Sequence, residues 1–365
     1  MKRRLFFKNI STAIPASVFM PVVVPSSILG NSIQNNDITN IAADTSTPKN
    51  VSAPNGLRIG MIGLDTSHCI AFTKAFNAPN ADNDFGGFKV IAAWPTTGSH
   101  DIPASIDRLA GFTEQVKQQG VEIVNSIEEL IETVDVILLE TIDGRKHLEY
   151  ALPVIKAGKR MFIDKPMTAS LSDAMIIFKA AKHYNTPVFS SSSLRYISGM
   201  NKVRNGTFGK VNGAITYSPA IIEKSHPDLF WYGIHGVEIL FAAMGEGCKM
   251  VSRISTNDTD VVSGVWEDNR IGTFHGMRTE KKGYGGTVFC EKEIKSLGPY
   301  IGYNSLLKEI VDFFKTGIVP VAPEETLDIL SFMVAADESK KRGGIPVSVN
   351  DILEQASNKI KDWKY

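Results

Sequence analysis

The sequence has few cysteines and no excess of charge, and both absences exclude classes of protein. Three cysteines occur among 365 residues, and Cys69, Cys248 and Cys290 are scattered without a C-x-x-C spacing. This distribution supports neither a zinc knuckle nor a disulfide framework. Basic and acidic residues both number 39, so the formal net charge is zero. A neutral chain without a basic stripe gives no electrostatic reason to expect nucleic acid as a partner.

The sequence also lacks an uninterrupted apolar run long enough to span a membrane. The longest apolar stretch, residues 14–29, is broken by prolines and follows a basic start. That combination is typical of an export signal and not of an anchor. The Arg-Arg-x-Phe-x-Lys start resembles a twin-arginine signal, and an ordinary secretory signal is the alternative. We therefore expect an exported, periplasmic protein, with its signal in residues 1–30 and a polar, flexible linker in residues 31–55.

From Leu57 onwards the chain alternates short β-rich runs with amphipathic helical segments. The runs are nearly all apolar, as expected for a parallel sheet that is covered on both faces. Alternation of this kind predicts an α/β domain with crossover helices. The runs cover residues 57–63, 88–94, 134–140, 159–164 and 186–191, and the helical segments cover residues 106–119, 126–131, 147–157 and 171–184.

After Arg195 the pattern changes to β-branched or alternating runs separated by turns. This pattern predicts a largely antiparallel sheet with an early inserted helix and two late helices. We therefore predict a Rossmann-type domain over residues 56–195 and an α+β domain over residues 196–365. The predicted strands are residues 211–217, 250–255, 261–266, 271–275 and 287–289, and the predicted helices are residues 234–244, 305–316 and 326–341.

The turn after the first run carries an unusual set of side chains. Such a turn in a nucleotide-binding chain reads G-x-G-x-x-G, because glycines let the backbone approach a pyrophosphate. Here the first glycine is Gly63, but Asp65 and His68 occupy the next two glycine positions. A carboxylate near a phosphate repels it by about 1 kcal/mol even in a high dielectric.

Two further clusters carry groups suited to chemistry. Asp164-Lys165-Pro166 follows an apolar run, and the carboxyl ends of parallel strands face the ligand crevice. Taken alone, the tripeptide favours the simpler interpretation that Lys165 is an exposed lysine at a strand end. His235 lies between two glycines at the start of a predicted helix, which makes it a candidate general base. A lone histidine in such a place is more often structural.

The order of these pieces resembles the Gfo/Idh/MocA family of oxidoreductases from about Leu57 to Val349. The most specific piece is Ala157-Gly158-Lys159 followed by Asp164-Lys165-Pro166, which is similar to the family's A-G-K and E-K-P motifs with Asp164 in place of Glu. The LRY and YGIHGVEIL segments, the late GTFHGM and the closing ESKKRGGIPVSV are also similar to the family.

The resemblance implies NAD(P)-dependent oxidation or reduction of a sugar or a related polyol. It implies that Lys165 contacts the reacting hydroxyl and that His235 is the acid/base. The hydride chemistry would belong to NAD or NADP. In some exported relatives a transient oxidation leads to elimination, which gives a lyase or glycosidase outcome. We expect Tyr232, Arg195 and His147 to bind substrate. The expected cofactor-binding residues are Gly63, Asp65, Thr66, Ser67, His68, Trp94, Thr141, Asp164 and Lys165.

Three departures from the family pattern leave a second hypothesis open. Asp65 and His68 replace glycines, Trp94 stands near the place of the acidic residue that would bind the ribose, and Trp231 stands where the family has an aspartate before His235. Asp228 or Glu238 would then have to partner the histidine. The alternative is a carbohydrate-binding or non-redox protein that has lost the dinucleotide.

The histidines and carboxylates have no recognisable ligand spacing, so we predict no metal. We expect a small-molecule carbohydrate partner, no stable membrane anchor after signal removal, and a homo-oligomer.

Overall fold

Residues 56–279 and 281–365 are described by a computed structural model. The predicted export signal and the predicted linker lie outside the described residues. Within the described ranges, every helix is too short or too polar to cross a bilayer.

Six parallel strands form the first sheet, in the order β3-β2-β1-β4-β5-β6. The strand order reverses between β1 and β4, so a crevice opens there at the carboxyl ends. The predicted α/β class and Rossmann-type sheet are confirmed. The strands are β1 (Arg58–Ile62), β2 (Lys89–Trp94), β3 (Glu122–Ile123), β4 (Val136–Leu139), β5 (Met161–Ile163) and β6 (Val188–Ser190). The helices between them are α1 (Ser67–Asn77), α2 (Pro103–Gln118), α3 (Ile127–Thr133), α4 (His147–Lys156) and α5 (Leu171–His183).

Seven strands form the second sheet, in the order β12-β11-β7-β10-β9-β8-β13. The pairs are antiparallel, as predicted, except that β7 and β10 run parallel. The strands are β7 (Val211–Pro219), β8 (Cys248–Ser255), β9 (Thr259–Trp266), β10 (Ile271–Met277), β11 (Gly285–Cys290), β12 (Ile294–Leu297) and β13 (Val347–Ser348). The remaining helices are α6 (Met200–Arg204), α7 (Ile234–Met244), α8 (Asn304–Thr316), α9 (Pro323–Lys341) and α10 (Val349–Lys359).

Two apolar cores hold the sheets and helices together. One core lies on the face of the first sheet that is covered by α1 and by the late helix α8, where Phe313 packs edge-on against Phe189. The other core joins the opposite face of that sheet to the second sheet through α7 and α9. Gly236 in α7 packs directly on β10, because a Cβ there would lie 2.3 Å from the ring of Phe274. This close approach fixes the start of α7, which carries His235, against the second sheet.

Candidate active site

A cavity of about 260 Å³ lies at the carboxyl edge of the first sheet and is closed by residues that follow β6. Its walls contain Lys165 and Tyr232, two residues that the sequence predicted for the site. The polar and aromatic lining residues that were not predicted for the site from sequence are Arg108, Ser193, Glu223, Tyr284, Tyr300 and Tyr303. Trp231, which departs from the family pattern before His235, also lines the cavity.

The Lys165 side chain reaches the cavity from the loop after β5. Its ammonium nitrogen lies 5.8 Å from the centroid of the Tyr232 ring. At that distance the ring face attracts the cation and helps to hold it at the cavity wall. Tyr232 therefore orients the predicted catalytic lysine in addition to lining the site.

His235 enters the same cavity from the first turn of α7. Its Nδ1 lies 2.7 Å from the Ser192 hydroxyl oxygen, and its ring centroid is 5.6 Å from that of Tyr232. Burial lowers the pKa of His235 well below its ordinary value, and the charges of Lys165 and His68 lower it further. A neutral imidazole, able to accept a proton, therefore lines the cavity near neutral pH.

The expected carboxylate partners of His235 are engaged elsewhere, which corrects the sequence expectation. Asp228 pairs with Arg253 at 2.9 Å and with Lys340 at 2.6 Å. Glu238 accepts a hydrogen bond from the Ser192 backbone amide. The neutral Ser192 hydroxyl, and not a carboxylate, forms the hydrogen bond that orients the His235 ring.

A second polar cluster lies at the base of the cavity, where α1 meets the ends of β4 and β5. The Nδ1 atom of His68 lies 2.7 Å from Asp164 Oδ2 and 3.9 Å from Glu140 Oε2. Burial raises the pKa of Glu140 well above its ordinary value, and the charge of Asp164 raises it further. Burial also opposes ionisation of Asp164, but His68 and Lys165 bring its pKa below its ordinary value. Sequence reasoning missed Glu140, although a carboxylate directly after an apolar strand was a usable signal.

Three tyrosines close the cavity from the second half of the chain. The Tyr300 hydroxyl lies 2.9 Å from the Ser193 hydroxyl, and burial raises the pKa values of Tyr284, Tyr300 and Tyr303. These phenols therefore stay neutral and can donate hydrogen bonds. The only sequence signal for them was a pair of tyrosines in a glycine-containing loop.

Two of the predicted substrate residues are structural, which corrects their assignment. Arg195 is 2% exposed and forms ion pairs with Glu238 and Glu325. His147 is fully buried, with its ring nitrogens 2.9 Å from the Met167 carbonyl oxygen and 2.8 Å from the Thr141 carbonyl oxygen. Neither side chain lines the cavity, because both satisfy buried polar groups instead.

The side chain of Asp65 points into the protein and does not line the cavity, which corrects its predicted position. Asp65 is fully buried; Oδ2 accepts a hydrogen bond from the Ser105 hydroxyl at 2.6 Å, and Oδ1 accepts one from the Ile142 backbone amide at 2.9 Å. Burial raises the pKa of Asp65, and these two hydrogen bonds oppose the rise. Asp65 therefore joins the first turn to α2 and to the loop after β4.

The segment after β2 is also held close to the first turn and to the loop after β4. The Ser99 hydroxyl donates to Asp143 Oδ2 at 2.6 Å, and Arg145 forms an ion pair with Asp101 at 2.7 Å. Trp94 packs edge-on against Tyr150, with ring centroids 5.2 Å apart. In a Rossmann domain the adenosine half of a dinucleotide lies between the first turn and the end of the second strand. Here the hydrogen bonds of Ser99 to Asp143 and of Ser105 to Asp65 hold residues 95–105 across that region, and Trp94 does not line the cavity.

The predicted cofactor residues therefore divide into two groups. Gly63, with φ 86°, packs directly on Thr141, and neither residue lines the cavity. The residues that do line it are Thr66, Ser67, His68, Asp164 and Lys165. Drug-sized ligands fill clefts of roughly 300–1,000 Å³, and a dinucleotide is larger than most drugs. In this conformation the site fits a nicotinamide or sugar ring but does not fit a whole dinucleotide.

Residues 57–191 match the family described as the oxidoreductase family with an NAD-binding Rossmann fold. The predicted relationship is confirmed. The matched segment contains all six strands of the first sheet. Oxidoreductase is the enzyme class of that family and NAD is its cofactor, in agreement with the predicted class and cofactor. The chain matches none of the curated protein sequences.

Solved structures extend the likeness beyond the matched domain. The scyllo-inositol dehydrogenase of Lactobacillus casei with bound NAD(H) and scyllo-inositol is 16% identical, with a TM-score of 0.63 over 81% of this chain and 99% of that chain. The UDP-N-acetylglucosamine 3-dehydrogenase of Acidithiobacillus ferrooxidans is 13% identical, with a TM-score of 0.62 over 78% of this chain and 99% of that chain. At these identities the likeness establishes the two-sheet fold.

Proposed function

We propose that this protein is an NAD(P)-dependent oxidoreductase that acts on a hydroxyl group of a sugar or polyol. The observation that carries the proposal is the convergence of Lys165, from the loop after β5, and His235, from the first turn of α7, on the ring of Tyr232 in one cavity. The inositol and UDP-sugar dehydrogenases that share the fold support this substrate class.

The cavity residues supply binding and proton transfer. The neutral imidazole of His235 accepts the hydroxyl proton, and the Lys165 ammonium donates a hydrogen bond to the oxygen as negative charge develops on it. The tyrosine hydroxyls bond the other hydroxyls of the sugar. A bound nicotinamide would supply the hydride acceptor, and Thr66, Ser67, Asp164 and Lys165 are lining residues that would hold it. Full binding of a dinucleotide requires residues 95–105 to move away from Asp65 and Asp143.

Substitution of the two residues tests the proposed roles. We expect Lys165→Met to lower kcat by roughly 10²–10⁴-fold with little change in nucleotide Kd, because the ammonium faces substrate. We expect His235→Asn to lower kcat similarly, with a smaller loss at high pH. The measurement is NAD(P)H formation at 340 nm across a panel of monosaccharides, inositols and UDP-sugars. The proposal is overturned if no panel member turns over and denatured native protein releases no nicotinamide nucleotide.

A second function is favoured by one specific observation, the hydrogen bonds that hold residues 95–105 to Asp65 and Asp143 across the region where the adenosine half of a dinucleotide would lie. On this hypothesis the protein binds or processes a carbohydrate without a dinucleotide. Titration with NADPH or NADH, followed by fluorescence enhancement, separates the two. A Kd in the micromolar range or tighter supports the oxidoreductase, whereas absence of saturable binding supports the dinucleotide-free protein.

We further propose export through the twin-arginine-like signal and a transient-oxidation mechanism leading to elimination. The Arg3-Arg4 pair carries the first proposal. The second rests on the first, because an exported enzyme that restores its own cofactor in each cycle needs no supply of free nicotinamide nucleotide. Replacing both arginines with lysine and fractionating cells tests the export route, since a twin-arginine signal fails after this change. Mass analysis of products distinguishes a ketone from an unsaturated sugar.

Self-association through the second sheet is proposed for the same protein. Three large apolar side chains on its strands, Ile215, Ile271 and Phe289, are exposed to solvent. Exposed apolar patches of this kind mark protein interfaces. Light scattering during size-exclusion chromatography tests this, and a monomer at micromolar concentration would contradict it.

A further inference from the structure

Three potential metal ligands from three different elements meet at the base of the cavity. His68 comes from the first turn of α1, Glu140 directly follows β4, and Asp164 directly follows β5. One ligand atom from each lies within 4.8 Å of the other two. The parallel sheet brings them together, because the carboxyl ends of β4 and β5 are neighbours at the crevice.

Glu140 carries the inference, because its buried carboxylate lacks a hydrogen-bond partner in the described part of the chain. The residue is fully buried, and neither oxygen makes a hydrogen bond within the described residues. Lys165 is the nearby cation, yet no ion pair joins it to Glu140 in that part of the chain. Buried polar groups in native proteins are satisfied in the large majority of cases, so an unsatisfied carboxylate requires an explanation.

Protonation alone does not satisfy Glu140. A protonated carboxyl group would still need an acceptor for its hydrogen and a donor for its second oxygen. In the described chain neither oxygen has a hydrogen-bond partner that could supply that donor. A cation between the carboxylate and its neighbours would meet both needs at once.

We propose that His68, Glu140 and Asp164 bind one divalent cation. Bonds of 2.0–2.2 Å to a tetrahedral ion place two ligand atoms roughly 3.4 Å apart. The separations of 2.7 Å and 3.9 Å from His68 Nδ1 bracket that distance, so small side-chain rotations suffice. Binding replaces the hydrogen bond between His68 and Asp164.

The ligand types indicate which ions fit. Imidazole suits zinc and other transition metals, whereas carboxylates suit harder ions such as manganese. One imidazole with two carboxylates therefore selects Mn²⁺ or Zn²⁺. His68 and Asp164 line the cavity, so the open coordination positions face the substrate space. A cation there would polarise a substrate oxygen, a role that goes beyond the proton transfer proposed above.

The test is cation binding by the untagged full-length protein, stripped with chelator and offered Mn²⁺ or Zn²⁺ alone. We expect about one ion per chain by elemental analysis. We expect Glu140→Gln and His68→Gln each to weaken binding on the order of tenfold or more by calorimetry. His226→Gln is the matched control. This buried histidine also faces a carboxylate, with His226 Nε2 3.4 Å from Asp143 Oδ1, and its loss should leave the affinity unchanged.

Two results would overturn the site. One is wild-type protein that takes up neither ion in stoichiometric amount, and the other is undiminished binding by both Glu140→Gln and His68→Gln. Thermal unfolding shows whether each variant is folded, and His68→Gln alters a partly exposed ring if Glu140→Gln fails to fold. Lys165→Met separates this proposal from the proposed function, because it should retain the ion while losing turnover.

Discussion

The guanidinium of Arg195 lies between the carboxylates of Glu238 and Glu325 and is almost completely shielded from water. Removing one partner of a buried ion pair leaves an uncompensated buried charge, and the typical cost is about 3–5 kcal/mol. We expect Arg195→Ala to lower the free energy of unfolding by that amount in urea titrations. Arg58→Ala is the control, because the Arg58–Asp135 pair is exposed and such pairs contribute about 0–1 kcal/mol. Equal losses in the two variants would contradict this account.

Single residues were predictable where the local sequence fixes their position. Lys165 directly follows an apolar run, so the carboxyl end of a strand places it in the crevice. Arg195 and His147 carry equally suitable groups, but their partners lie 43 and 20 residues away. Burial by such distant contacts leaves no local pattern. Glu140 was not predicted for the same reason, because its role depends on His68 and Asp164, which are distant in sequence.

At the scale of elements, the position of α2 decides whether a dinucleotide can enter. Asp65 holds Ser105 in the first turn of α2, so weakening this contact should free the adenosine space. We expect NADPH affinity to rise from wild type to Ser105→Ala and further in Asp65→Gly, by on the order of tenfold per hydrogen bond removed. The measurement is fluorescence titration. Ser126→Ala, which removes the N-cap of α3 on another part of the domain, should leave the affinity unchanged. Identical NADPH affinities in the wild type and the three variants would rule out the idea that the Asp65–Ser105 contact keeps the dinucleotide out.

Elements with a clear period were predictable, and short ones were not. The helix predicted over residues 234–244 matches α7, and all five predicted runs of the first sheet contain strands. The strands β3 and β13 have two residues each, too few to show alternation. The contact between α2 and the first turn joins residues 40 positions apart, so the position of residues 95–105 had no sequence signal.

For the whole molecule, the buried carboxyl of Glu238 links stability to pH. Burial raises its pKa from 4.5 to about 7, with Arg195 opposing the rise and Glu325 adding to it. Because the folded state binds this proton more strongly than the unfolded state, its contribution to stability is full below about pH 4.5 and is lost as pH rises through about 7. We expect urea midpoints of the wild type to fall across this range. Glu238→Gln should flatten the profile, and an unchanged slope would contradict the assignment.

The position of α8 has a consequence for how the polypeptide is made. Its phenylalanines cover one face of the first sheet, although Thr316 is the last residue of that helix and the sheet itself ends at Ser190. During translation the N-terminal half of the chain emerges first. When all six strands of the first sheet have emerged from the ribosome, α8 has not yet been synthesised. The ribosome must add more than a hundred residues before α8 can dock and cover the apolar face of the sheet. Throughout that interval this face of the sheet is exposed and is available for a chaperone to bind.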